Sequence, residues 1–203
     1  IYFGGGTPSV LSEAQLKIIL KNLYENFVIS PVAEITFEAN PDDLDNSYLQ
    51  MLRNIKINRL SIGIQAFQDE HLKKMNRRHN AQQAAVSVIN AKNTGFDNIS
   101  VDLIYGIPDL TEEQWKFNLQ RVFELPVDHL SAYHLTFHED TIFHKLLVSG
   151  LIKELSETES LKQYKILTDN AFYAGFEQYE ISNFAKDQKY SKHNTAYWTG
   201  KNY

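Results

Sequence analysis

Cysteine is absent from all 203 residues, which excludes disulfides and thiolate-held metals for this stretch. No apolar run approaches the roughly 18 residues that a membrane-spanning helix needs, and mean hydropathy is −0.37. Positive charge is also scarce. Twenty lysines and arginines against 25 acids give a formal net charge of −5, which argues against nucleic acid as a general partner. No low-complexity tract or linker interrupts the chain, so a single domain over 1–203 is expected. What is plentiful is core material: 43% of residues are hydrophobic and 12% aromatic, enough to bury a substantial interior.

Strand-like runs and helical patterns alternate. The runs are "IYF" at the start, "AEITFEA" (33–39), "RLSIGIQ" (59–65), "NISVDLIYG" (98–106) and "HLSAYHLTF" (129–137). Between them, Ser12 caps a helical pattern over "LSEAQLKIILKNLY", and a second begins after Pro41. "QQAAVSVINAKNTG" stops at Gly95, Thr111 caps "TEEQWKFNLQRVFEL", and a long pattern from Glu157 ends near Gly175. Such a βαβα order predicts an α/β fold with a parallel sheet under covering helices.

The strands are not apolar on both faces. Leu60, Ile62 and Ile64 share one side of their strand, and Arg59, Ser61, Gly63 and Gln65 share the other. Ala33, Ile35 and Phe37 likewise oppose Glu34, Thr36 and Glu38. A doubly wound sheet buries both faces and reads as nearly continuous apolar sequence. One polar face instead predicts a curved, barrel-like sheet around a polar cavity that takes a ligand; strands lying near a sheet edge are the plainer alternative.

Polar features gather where strands end. Gly5, Glu38, Gln65 and Asp102 are separated by 33, 27 and 37 residues, about one βα unit each. In parallel α/β proteins that rim is where ligands bind, so one site built from successive strands is expected. "GGGTP" brings backbone N–H and C=O groups close to a ligand without side chains in the way. It is neither of two common nucleotide loops: GxxxxGK[ST] lacks its lysine here, and GxGxxG its third glycine. Arg77, in "LKKMNRRHN" with Lys73, Lys74, Arg78 and His79, reads either as a solvated cationic helix end or as a carboxylate-binding arginine. His129, His134, His138 and His144 lack the spacing of a zinc site. "SKHNTAYW" reads as a turn with two aromatic anchors, carrying His193.

Together "YFGGGTPS", "EITFEANP", "RLSIGIQAF", "DLIYGIPDLT", "LSAYHLTF", "YEISNFA" and "HNTAYW" resemble, in order and spacing, the oxygen-independent coproporphyrinogen III oxidase family of radical S-adenosylmethionine (SAM) proteins. "GIQAF" and "HNTAYW" are more similar to its haem chaperone branch, HemW, than to the true oxidases. The resemblance implies a partial (β/α)6 TIM-like barrel, open on one side, with SAM at the C-terminal rim. On this sequence Gly5, Gly6 and Thr7 would line the methionine end of SAM. Glu38 would contact SAM, Arg77 would meet its carboxylate, and Gln65 and Asp102 would fall near the ribose hydroxyls. His193 would be a haem ligand.

By the same resemblance, a 4Fe-4S cluster on CxxxCxxC cysteines would reductively cleave SAM to a 5′-deoxyadenosyl radical. In the oxidase branch that radical drives loss of carbon dioxide from a propionate, leaving a vinyl group. Those cysteines are expected upstream of Ile1, and a C-terminal domain beyond "GKNY", so the chain is expected to be an inactive piece of a longer protein. Asn76 stands where the family has glycine before its arginine, and His138 where an acid is common, so no role is carried onto His138.

Three functions follow as expectations: a coproporphyrinogen-type oxidoreductase, a haem chaperone, or a degenerate SAM- or haem-binding module without a cluster. The expected partners are SAM, a tetrapyrrole (coproporphyrinogen III or haem) and an electron donor. Membrane contact would come only through haem-recipient proteins, and the expected location is the cytoplasm. The basic 73–79 segment is the one candidate for holding tetrapyrrole carboxylates.

Overall fold

A computed structural model of the chain describes residues 1–139 and 141–200. The elements run β1 (Tyr2–Phe3), α1 (Glu13–Asn26), β2 (Thr36–Ala39), α2 (Asn46–Asn54), β3 (Arg59–Gln65), α3 (Asp69–Lys74) and α4 (Ala81–Asn93). They continue with β4 (Ile99–Tyr105), α5 (Glu112–Glu124), β5 (His129–His134), α6 (Ile142–Val148), α7 (Glu157–Tyr173), β6 (Glu177–Gln178), β7 (Asn183–Ala185) and α8 (Lys192–Thr199). The strands form one sheet in the order β1-β2-β3-β4-β5-β7-β6. The first five pair in parallel, and β7 and β6 close the far edge antiparallel. The expected parallel α/β sheet is therefore present, with an antiparallel edge added to it.

Local chemistry explains the helix boundaries. Ser12 with Gln15, Asn80 with Gln83, Thr111 with Gln114 and Ser156 with Glu159 form reciprocal capping boxes at α1, α4, α5 and α7. Each box satisfies two backbone donors that the first turn leaves without partners. Gly95 and Gly175 follow α4 and α7 with φ of +95° and +80°, the left-handed geometry that stops a helix. Pro41 does not open α2; a short 3-10 turn covers Pro41–Asp43, and Asp45 caps the helix four residues later.

The two faces of the sheet separate as the alternation requires. Phe37, Leu60, Ile62, Ile64, Val101, Leu103 and Leu130 are fully buried under the helices. Thr36, Arg59, Ser61, Ser100, His129 and Ser131 are buried on the inner face. The inner layer is thus mostly polar, with Ile104 an apolar member beyond Asp102, and that layer carries the site.

Candidate functional site

The inner face opens at the strand ends into a cavity of about 180 Å³. Gly6 to Ser9 follow β1, Glu38 to Asn40 end β2, Ser61, Gly63 and Gln65 come from β3, and Asp102 comes from β4; Arg77 closes the rim from the loop after α3. Of the seven residues expected around SAM, Gly6, Thr7, Glu38, Gln65, Arg77 and Asp102 line this cavity. Gly5 does not line it; with φ +99° it makes the turn that brings Gly6 to the rim. His193 lies elsewhere, on α8.

The register sets the inner-face neighbours. Glu38 pairs with Ser61, Ser61 with Ser100, and Asp102 with Ser131. Ser61 Oγ donates to Asp102 at 3.2 Å. Asp102 lines the cavity and is partly buried. Loss of water pushes its pKa up to about 6, against hydrogen bonds from Ser131 and Ser61 and the Arg59 charge, with Glu38 adding to the rise. β3 bulges between Ile62 and Gln65, and Gln65 sits at φ +71°. Such strain in a non-glycine residue is held by its surroundings and collects at binding sites. The bulge turns Gln65 over Gly63, where a Cβ would stand 2.8 Å from Gln65 Nε2. Gln65 and Gly63 both line the cavity.

Three rim loops are tied to one another. Ser9 Oγ donates to Asp43 at 2.5 Å, Arg78 bonds Asp42 and Asp43 at 3.0 and 2.8 Å, and Arg77 Nη1 donates to Asn40 Oδ1 at 3.3 Å. His79, 3% exposed, meets the Ile64 carbonyl at 3.1 Å. The segment 73–79 is accordingly not a single cationic patch: Lys74 pairs with Asp109, Arg78 with two aspartates, and His79 is buried. Arg77 differs from them. No carboxylate among the described residues lies within salt-bridge distance of it, and burial holds its pKa down against the pull of Asp102 and Asp42.

"SKHNTAYW" is a helix rather than a turn. Ser191 caps it through the Asn194 N–H at 3.2 Å, and Gly200 ends it at φ +63°. Tyr197 and Trp198, expected as anchors, are 65% and 62% exposed. His193 stacks on Tyr2 at 4.1 Å and borders a separate depression of about 540 Å³ with Ile1, Val32, Ala33, Glu34 and Ala196. Burial holds the His193 pKa below its usual value.

Tyr2 has no role legible in sequence, and Gly4, expected to bring its backbone to a ligand, instead makes room for a side-chain pair. Tyr2 Oη donates to Glu38 Oε1 at 2.6 Å. A Cβ on Gly4 would stand 2.4 Å from the Tyr2 ring and 2.9 Å from Glu38 Oε1. The alternation in "IYFGG" places Tyr2 on a face, but nothing local shows that its hydroxyl reaches the next strand.

The residues present suit one class of ligand. Glu38 and Asp102 accept from ammonium or hydroxyl groups, and Arg77 offers a guanidinium fork to a carboxylate. Gly6 leaves its backbone open, with no atom within 4 Å of where a Cβ would stand. An amino acid joined to a nucleoside, as in SAM, carries all three groups. The chain's own residues do not suit an iron–sulfur cluster: there is no cysteine, and no metal-binding group of three His, Asp or Glu occurs among the described residues. Nor is any helix of the described residues long and apolar enough to cross a membrane.

Comparison with known proteins shows the family and the fold. The profile of the Radical SAM superfamily matches residues 1–122. The heme chaperone HemW of Lactococcus lactis is 38% identical over 203 residues, covering 100% of this chain and 54% of the relative. HemW of Bacillus subtilis is 37% identical over 206 residues, again 100% and 54%. Among solved structures, the coproporphyrinogen III oxidase HemN of Escherichia coli, described as a radical SAM enzyme, superposes with a TM-score of 0.81 at 31% identity, covering 98% of this chain and 45% of that one. The chain thus spans about half the length of the relatives it matches.

Proposed function

This chain belongs to the radical SAM superfamily, with its likeness to the HemN and HemW type, and from that premise we propose that its rim cavity binds SAM in a protein that handles haem. The observation that carries the SAM reading is one cavity bordered by two inner-face carboxylates and an arginine without an acidic partner among the described residues. Arg77 would hold the carboxylate of SAM, Glu38 its amino group, Asp102 and Gln65 the ribose hydroxyls, and the Gly6–Thr7 backbone the methionine end. SAM bound there would supply the 5′-deoxyadenosyl group, released as a radical when one electron from a reductant enters the sulfonium. The cluster which that chemistry requires needs thiolate ligands, and this chain's own residues offer none.

The haem reading rests on α8 and on similarity to HemW. A neutral imidazole is a good iron ligand, and burial shifts His193 toward its neutral form. The depression beside it is mainly apolar, and exposed Tyr197 and Trp198 extend the apolar surface along the helix. A planar macrocycle with an apolar edge suits that surface. Haem delivery, an electron donor and a cytoplasmic location belong to the same proposal.

The oxidase reading keeps support from the fold shared with HemN. The two readings separate in full-length protein with its cluster reconstituted. Haem transfer predicts that hemin binds and gives a Soret shift. His193→Ala should weaken that binding by at least roughly tenfold, since loss of a mere outer-shell partner of a metal ligand already costs that much, with the circular dichroism spectrum unchanged. Conversion of coproporphyrinogen III to protoporphyrinogen IX by the wild type, with hemin affinity indifferent to His193, would favour the oxidase.

A further inference from the structure

The two proposed sites are joined by one side chain. Tyr2 lies on β1, beside β2, with its hydroxyl on Glu38 at 2.6 Å and its ring against His193 at 4.1 Å and 22° between planes. Glu38 borders the SAM cavity, and His193 borders the depression proposed for haem. Tyr2 has little freedom to move without Glu38. The space a Cβ on Gly4 would need is already filled by the Tyr2 ring and the Glu38 carboxylate, so the three residues pack as a unit. The His193 end is fixed as well. Ser191, 1% exposed, caps α8, and its N–H donates to Tyr179 Oη at 3.3 Å. Tyr179 Oη in turn meets buried His129 Nε2 at 2.7 Å. The Lys192 N–H donates to Glu34 Oε1 at 2.9 Å. With the start of α8 anchored in this way, a change at Tyr2 is felt at the imidazole that rests on it.

We infer that Tyr2 couples the two sites negatively: a cationic ligand on Glu38 weakens haem binding at His193, and haem weakens binding of that ligand. The inference rests on the SAM and haem readings given above. A phenol bonded to an unshared carboxylate makes a charge-assisted bond, stronger than one between neutral groups. When an ammonium or sulfonium takes up part of the Glu38 charge, the bond to Tyr2 loses that assistance and the ring gains freedom. His193 then loses the stacked one of its ring contacts, keeping the edge contact with Tyr197 at 5.1 Å, and a ligand of iron held less rigidly binds less tightly. Linkage makes the effect reciprocal in binding free energy.

The experiment uses the full-length protein, hemin and SAM. Hemin affinity is read from the Soret band with and without saturating SAM, and SAM affinity by calorimetry with and without hemin. Wild type should lose at least about fivefold in hemin affinity when SAM is present, with the same factor in the reverse titration, at the lower end of known couplings. Tyr2→Phe keeps the ring and removes the hydroxyl. Its hemin affinity should change less than about twofold on adding SAM and should match that of SAM-bound wild type. Equal hemin affinities in wild type with and without SAM, tighter binding with SAM, or a coupling that survives Tyr2→Phe would each overturn the inference. Wild type that binds no hemin would overturn the haem reading itself and the coupling with it, a result distinct from the other three.

Discussion

Asp102→Asn is expected to stabilise the protein at pH 8 and to weaken SAM binding in the same molecule. The folded-state pKa of Asp102 is raised from 3.8 to about 6, chiefly by loss of water. A carboxyl with a raised pKa binds its proton more tightly folded than unfolded, so stability falls as pH rises between those two values. Below that window the penalty is absent. Above it the penalty is full, on the order of 2–3 kcal/mol, since a pKa raised by one costs about 1.4 kcal/mol. Asparagine keeps the shape and a hydrogen-bonding oxygen for Ser61 and Ser131 while removing the charge. Thermal unfolding of the full-length protein should therefore show Tm raised by roughly 3–5 °C at pH 8 and nearly unchanged at pH 4. SAM affinity should fall by roughly 10–100-fold, the range for a lost hydrogen bond to a charged group. A residue that costs stability while it serves binding is the usual mark of a functional position. A variant that is less stable than wild type at pH 8 would contradict the account of Asp102.

The second large effect is expected at Arg77. Arg77→Met should weaken SAM by roughly 30-fold or more, since a partly buried charge-assisted fork is lost and the ligand carboxylate is left without its partner. Arg77→Lys should recover part of the loss, because lysine restores charge without the planar fork. 5′-Methylthioadenosine lacks the amino-acid end, so wild type and Arg77→Met should bind it alike. Calorimetry with both ligands makes this a cycle that isolates the carboxylate contact. Arg78→Ala serves as the neighbouring control: that guanidinium is already engaged by Asp42 and Asp43, and its loss should change SAM affinity less than loss of Arg77. If 5′-methylthioadenosine suffers as much as SAM in Arg77→Met, the arginine acts through the fold of the rim and not through the carboxylate.

The inner face of the barrel is legible in sequence because side chains alternate with period two. "RLSIGIQ" runs over the same seven residues as β3, and Ser61, Gly63 and Gln65 from its polar side border the cavity. Cap chemistry is equally local, and Ser12 and Thr111 cap α1 and α5 as their sequence neighbours require. Arg77 stands between two readings in sequence because its neighbours are all cationic or polar. The choice depends on Asp42, Asp43 and Asp109, which lie far off in sequence and engage Arg78 and Lys74 but leave Arg77 to the cavity.

Other features have no local signal. β6 and β7 are two and three residues long, too short for alternation to register, so the antiparallel edge emerges only from the fold. α8 buries no residue and so has no apolar stripe by which to recognise it. The glycine run needs the fold most of all. Gly5 makes a left-handed turn, Gly6 borders the cavity, and Gly4 leaves room for the Tyr2–Glu38 bond. The three residues are adjacent for three different reasons, and only the approach to a ligand is inferable from sequence.

A crystal structure of the full-length protein grown with SAM under anaerobic conditions tests the central claim most directly. The account predicts ligand density bounded by the Gly6–Thr7 backbone, Glu38 and Asp102, with the carboxylate on Arg77. SAM seated outside that cavity, for example in the depression between Asp109 and Gln163 beside α5 and α7, would contradict it.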